Sequence, residues 1–287
     1  MAKKDSLQQQ KFMSFMFRGK EIFKPLNTGH IDERVSCIRE YVANIYFYTK
    51  DGYTIMIDAG YNYDKLAEKM RWLDIRPESI NEILITHQDT DHVGAIEVDG
   101  QGLFKTAKIY VGRVENDYLK GRVRRKVYWG LYKLPQVHIE NDKTLIEDGE
   151  IFYIHDIKVE AFLVPGHTWG HLVYLIDDAY LFTGDTIWFG ADGGYAFLNT
   201  LAEDRKLQSV SLKRLEEKLR KRNLSLKIIT GHTGWTDDFE FAFRHVDEIC
   251  NALRRKPKVQ DPKAPYDGFD ESGDTEDKAR TVILEKC

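Results

Sequence analysis

Cysteine is scarce in this chain of 287 residues. Cys37, Cys250 and Cys287 form an odd set with no CxxC spacing, which argues against both a disulfide framework and a thiolate metal site. No apolar run reaches transmembrane length, and the start of the chain, Met1-Ala2-Lys3-Lys4-Asp5, is charged and then polar without a signal-peptide pattern. A reducing cytoplasm without membrane association is therefore the expectation. An excess of one charge is missing as well. The net charge is −4 with both signs spread along the chain, which gives no bulk electrostatic case for nucleic acid. There is no G-x-S-x-G for a serine hydrolase, and no G-x-G-x-x-G or Walker-type phosphate loop. The length is large for one domain, but two-sheet α/β architectures reach it.

What the chain does have is a dense run of polar ligands. Thr86-His87-Gln88-Asp89-Thr90-Asp91-His92-Val93-Gly94 packs four candidate metal ligands into six residues, directly after the apolar Ile83-Leu84-Ile85. A strand that ends in such a cluster delivers imidazoles and carboxylates to one point, and burying them together is tolerable only around positive charge. Three more fragments follow apolar strands in the same way. They are Gly166-His167-Thr168-Trp169-Gly170-His171, Thr183-Gly184-Asp185-Thr186 and Thr230-Gly231-His232-Thr233-Gly234. Their glycines permit sharp turns and close backbone approach.

Taken in order, these fragments resemble the metallo-β-lactamase superfamily, whose pattern is HxHxDH, then His, Asp and His. The likeness runs from about Lys20 to about Cys250, and the GHTxGH stretch looks like the glyoxalase II and lactonase side of that superfamily. The resemblance implies a four-layer αββα sandwich with the site along one edge of its two sheets. It implies two divalent metal ions, zinc or else iron or manganese. His87, Asp89 and His167 would hold the first and Asp91, His92 and His232 the second, with Asp185 bridging. His171 has no ligand role in such relatives and reads as a supporting or packing histidine. Asp58, in Ile57-Asp58-Ala59-Gly60, matches the early Asp-x-Gly turn, where it would orient ligands by hydrogen bonding.

The chain departs from that pattern at position 89, where aspartate replaces histidine. A hard anionic oxygen shifts preference from zinc toward iron or manganese. Flavodiiron proteins are similar in carrying a carboxylate there, although theirs is glutamate, a methylene longer. Two functional readings follow. In the first, a metal-bridging hydroxide attacks an ester, thioester, lactone or phosphoester of a small-molecule substrate, and Asp91 orients the nucleophile and passes on its proton. The alternative is a non-haem di-iron redox enzyme with an external electron donor.

The remaining pattern predicts strands over 21–26, 37–48 (bent or interrupted) and Tyr53–Ile57, an amphipathic helix over 63–73, and a strand at 108–111. Further strands are expected at Ile157–Leu163, Leu172–Ile176, Tyr180–Phe182 and Lys227–Ile229, with a helix over 204–221. A last helix starts at Asp237, with Glu240 as the third residue of a capping box. The domain is expected over residues 1–255, followed by an extended tail over 256–287. Within that tail, 281–284 reads either as a closing strand or as a contact with a second copy, which would make a homodimer.

Two segments are candidates for substrate contact. Residues 112–135 hold Lys120, Arg122, Arg124, Arg125 and Lys126 beside Tyr128, Trp129 and Tyr132. These cations either grip an anionic group or form a solvated helix face. Trp188, Phe189, Tyr195 and Phe197 follow Asp185 as a loop at the rim, either as a pocket wall or as plain packing. His30, His138, His155 and His245 have no ligand-like neighbours.

Overall fold

The computed structural model of the chain describes residues 23–248, apart from 24, 41, 61–65, 97–101, 135 and 191. The tail over 256–287, with the strand or partner contact at 281–284, lies outside the described residues.

Two sheets stack face to face. Among the described residues the first has seven strands, in the spatial order Gly29–His30, Val35–Glu40, Ala43–Lys50, Tyr53–Ile57, Glu82–Ile85, Lys108–Gly112 and Lys143–Ile146. Its pairings are antiparallel up to Tyr53–Ile57 and parallel beyond. The second has six strands, Ile151–Ile154, Ile157–Leu163, Leu172–Ile176, Tyr180–Phe182, Lys227–Ile229 and Trp235–Thr236, in that order. Only Tyr180–Phe182 and Lys227–Ile229 run parallel in it.

Strand alternation sorts the side chains into layers. Ile55, Ile57, Leu84, Leu172, Tyr174, Ile176 and Phe182 turn inward and share the core between the sheets. Met56, Ile83 and Ile85 turn outward from the first sheet, against Leu66 and Met70 of the helix Leu66–Trp72. Val173, Leu175, Leu181 and Ile228 turn outward from the second, against Leu212, Leu215 and Leu219 of the helix Arg205–Arg220. Each such side chain contributes about 1.5–3 kcal/mol by burial. The result is the expected αββα sandwich, because both sheets are apolar on both faces.

The long helix begins where Asp204 accepts from the backbone N–H of Lys206 and Leu207, and Lys218 and Arg220 lie at its negative end. No described helix is long and apolar enough to cross a membrane.

The stretch at 37–48 is interrupted as expected, dividing into Val35–Glu40 and Ala43–Lys50, with Glu40 paired to Ala43. Other local expectations need correction. At 21–26, the described residues Phe23, Pro25 and Leu26 form no strand. Pro25 has no N–H to donate, and the N–H of Leu26 is taken by Asn44 Oδ1 at 2.8 Å. The aromatic segment after Asp185 is a β-hairpin, Ile187–Gly190 with Gly193–Ala196, which the glycines at its turn had disguised as a loop. The last helix is Phe239–Phe243, and its cap is Asp238, whose side chain accepts from Phe241 N–H. The strands Lys143–Ile146 and Ile151–Ile154 were not anticipated, since their outer residues are only partly buried and blur the alternation.

Candidate metal centre

The site lies where parallel strands end on the same side of the sandwich. Asp58 follows Tyr53–Ile57, the run from Thr86 to His92 follows Glu82–Ile85, Asp185 follows Tyr180–Phe182, and His232 follows Lys227–Ile229. His167 and His171 lie in the turn between Ile157–Leu163 and Leu172–Ile176. Hydrogen bonds between the sheets fix these ends. Leu172 N–H donates to Thr86 O at 2.9 Å, Asn44 N–H to Gly231 O at 2.9 Å, and Tyr174 Oη to Ile85 O at 2.9 Å.

Two turns come so close that only glycine fits. Gly184 has φ +50°, and a Cβ there would stand 2.7 Å from Thr86 Oγ1 and 2.8 Å from His171 Nε2. At Gly231 a Cβ would stand 2.6 Å from Asp185 Oδ1. Asp58 carries positive φ itself, 57°, without being glycine. Such a conformation persists only where the surroundings enforce it, and here the carboxylate is fully engaged. It accepts from Thr86 N–H at 2.8 Å, from Thr86 Oγ1 at 2.8 Å and from His92 Nδ1 at 2.7 Å.

Three imidazoles are held through Nδ1, which turns Nε2 toward the carboxylates. His87 Nδ1 lies 3.0 Å from Thr86 Oγ1, whose own proton goes to Asp58, so the ring nitrogen is the donor. His92 Nδ1 donates to Asp58, and His232 Nδ1 donates to Val42 O. That leaves Nε2 of each ring as a lone pair directed at Asp185. The Nε2 separations to this carboxylate are 3.8 Å for His87, 3.2 Å for His92, 3.1 Å for His232 and 3.6 Å for His167. His87 Nε2, His92 Nε2 and Asp185 Oδ1 are buried without a hydrogen-bond partner. His87, His167 and Asp185 form one group with ligand atoms within 4.8 Å of one another, and Asp91, His92 and His232 form another. Buried lone pairs that converge without protons to share fit a metal cation.

The electrostatics point the same way. Burial holds the His87, His167 and His171 imidazoles below the usual histidine range. At His92 burial acts in that direction too, but Asp185, Asp58 and Asp91 outweigh it and raise the ring well above its ordinary value. His232 is raised by Asp185 and Asp91 against burial. Burial pushes Asp185 upward, yet His232 and His92 hold it well below the carboxylate range. These carboxylates demand positive charge at this point, which a bound cation supplies without protonating the rings.

His171 takes a different position. Its Nε2 accepts from Asp185 N–H at 3.1 Å, and its ring stacks on His87 at 4.7 Å. Asp89 lies against the first group, with Oδ2 3.2 Å from His167 Nε2 and 3.6 Å from His87 Nε2, but its carboxylate is already engaged. Its carboxylate receives Arg125 Nε at 2.8 Å and Arg125 Nη2 at 3.0 Å, and Arg125 is only 2% exposed. Burial raises Asp89 but Arg125 overrides it, holding the carboxyl well below its usual range. Among the cations of 112–135, Arg125 is therefore neither solvated nor free for an anion, whereas Arg124 is exposed and Tyr128 half-buried.

Trp188 and Tyr195 are buried in a small cluster with Phe197 and Leu198. The rings beside the ligands are Phe23, 4.7 Å from His232, and Phe197, 5.0 Å from His167 and 5.4 Å from His232. Reading the sequence did not single out Phe23, Thr86 or Glu115. Glu115 is buried, accepts from Gln88 N–H and Thr168 Oγ1 at 2.8 Å each, and is pushed by burial up to about 8. It ties the loop bearing Asp89 to the loop bearing His167. Nothing local marks it, because its partners are far away in sequence.

Comparison with known proteins agrees with this geometry. The family model described as "Metallo-beta-lactamase superfamily" matches residues 38–263. The chain is 30% identical over 150 residues to a probable polyketide biosynthesis zinc-dependent hydrolase of Bacillus velezensis, covering 52% of this chain and 56% of that protein. It is 27% identical over 195 residues to a hydroxyacylglutathione hydrolase of Pelagibacter ubique, covering 68% of each. Several of these curated relatives are matched over only about half of their length, as with the 52% covered in the hydroxyacylglutathione hydrolase of Aeromonas hydrophila. In fold, the chain is similar to a B3 metallo-beta-lactamase with an active-site glutamic acid, with a TM-score of 0.58, 16% identity, and 94% and 93% of the two chains covered.

Proposed function

Because the chain belongs to the metallo-beta-lactamase superfamily, we propose that it is a metal-dependent hydrolase that cleaves ester or thioester bonds of a small acyl substrate. One observation carries this reading. His87, His92 and His232 are each locked through Nδ1 so that Nε2 faces Asp185. The relatives named as hydroxyacylglutathione hydrolases support a thioester, since glutathione is acylated through its thiol. Lactones and phosphoesters complete the range of substrates to be compared.

When bound, a divalent ion supplies Lewis acidity that lowers the pKa of water from about 15.7 toward about 7. The other tasks fall to side chains. Asp91 Oδ2 lies 3.5 Å from His232 Nε2 and 3.8 Å from His92 Nε2, and Asp91 is more exposed than Asp58, Asp89 or Asp185. It is placed to take a proton from attacking water and return it to the leaving group. Phe197 and Phe23 line the His232 side with apolar surface, which excludes bulk water and strengthens the local electrostatics. The di-iron alternative relied on Asp89 as an iron ligand. Both of its oxygens instead accept from Arg125, so hydrolysis is the reading carried forward.

The test is reconstitution of metal-free protein with zinc, followed by assay on an acyl-glutathione thioester, an activated ester, a lactone and a phosphodiester. Turnover of the thioester or ester with zinc, and its loss on chelation, is the expected outcome. Inactivity on all four substrates with zinc bound would sink the proposal.

A further inference from the structure

The pair formed by Asp89 and Arg125 sits against the first of the two ligand groups, with Asp89 Oδ2 3.2 Å from His167 Nε2 and 3.6 Å from His87 Nε2. Both carboxylate oxygens of Asp89 are engaged. Oδ1 accepts from Arg125 Nε at 2.8 Å and from Gln88 Nε2 at 2.7 Å. Oδ2 accepts from Arg125 Nη2 at 3.0 Å and faces His167 Nε2 at 3.2 Å. The guanidinium is anchored from behind, with Nη1 donating to Lys126 O at 2.9 Å and Nη2 to Leu201 O at 2.5 Å. Nη2 also stands 3.2 Å from His167 Nε2.

That last distance matters most. His167 Nε2 is the nitrogen that a metal held with His87 and Asp185 would need, and a permanent cation already stands against it. Arginine does not give up its proton, and its fork matches a carboxylate with two parallel bonds. A metal entering this group would therefore lose Asp89 as a ligand and meet a like charge in a site with little water to screen it. Among the described residues, the ion pairs of the second group, Asp91, His92 and His232, run between its histidines and aspartates alone.

We propose that Arg125 is a built-in cation that engages the Asp89 carboxylate and stands against His167, so that the chain loads its ions unequally. One ion binds tightly through Asp91, His92, His232 and Asp185. The other binds weakly at His87 and His167. This rests on the metallo-hydrolase reading above and adds to it a role for a residue from the 112–135 segment. Arg125 also cancels the extra charge that Asp89 brings, which leaves Asp91 and Asp185 to attract the ion.

The experiment is zinc titration of metal-free full-length protein against a chromophoric chelator, with ions counted by native mass spectrometry. Wild type should take one zinc tightly and a second at least about 100-fold more weakly, the upper range for a lost supporting partner. His232→Ala should abolish the tight step, whereas His167→Ala should leave it within about threefold and remove only the weak one. The double variant Asp89→His with Arg125→Met, which removes the cation and adds an imidazole, should bring the second step to within about tenfold of the first. Two steps within tenfold in the wild type would overturn the inference. So would equal loss of tight zinc in His167→Ala and His232→Ala, which does not depend on the double variant folding. Failure to bind zinc at all would instead overturn the hydrolase reading.

Discussion

Asp58 holds His92 by a 2.7 Å hydrogen bond from Nδ1 to Oδ2, and it does so from a backbone conformation, φ 57°, that aspartate seldom adopts. The same carboxylate accepts twice from Thr86, which in turn accepts from His87 Nδ1. One buried anion thus fixes the tautomer of two imidazoles belonging to different ligand groups. Asp58→Ala is expected to weaken zinc binding by about 10–100-fold, the usual cost of removing a ligand's supporting partner. Chelator competition measures this, and an unchanged affinity would show that Asp58 does not orient the ligands.

His171 is expected to act on Asp185 through the backbone, since its Nε2 accepts from Asp185 N–H. His171→Ala should lower zinc affinity by about tenfold, within the range for supporting partners. His171→Gln, which keeps an acceptor, should recover most of it. Equal losses in both variants, read by the same competition assay, would assign His171 to packing alone.

Glu115 gives a pH signature. Burial raises its folded pKa from 4.5 to about 8. The folded chain keeps this proton after the unfolded chain has lost it, so the residue costs stability as pH rises through that window. Below about 4.5 the cost vanishes, and above about 8 it levels off, with a slope of at most about 1.4 kcal/mol per pH unit. Glu115→Gln should therefore gain stability relative to wild type as pH rises from 5 to 8, by urea unfolding of the zinc-loaded proteins. A difference that stays flat with pH would contradict this assignment.

Gly184→Ala should destabilise the chain by about 1–3 kcal/mol and lower its zinc content. The added Cβ combines positive φ with contacts of 2.7 and 2.8 Å to Thr86 Oγ1 and His171 Nε2. Thermal melts and metal analysis check both effects, and wild-type behaviour would mean that the turn relaxes freely.

The sequence alone determined the fold class and which residues come together. Short continuous apolar runs specify strands buried on both faces, and His87, His92, His167, Asp185 and His232 each follow such a run, so sheet formation carries them to one edge whatever the loops do. The helix at Arg205–Arg220 was equally legible, because Leu212, Leu215 and Leu219 share one face and Asp204 is a local cap. The contacts across the sandwich were decided only by tertiary structure. Arg125 lay among five cations that look alike in sequence, and only packing of its segment onto the strand-end loops set it against Asp89, 36 positions away. Glu115 met Gln88 and Thr168 for the same reason. A strand end is written locally where an apolar run stops, whereas the partner of a buried charge is chosen by whichever distant segment covers it.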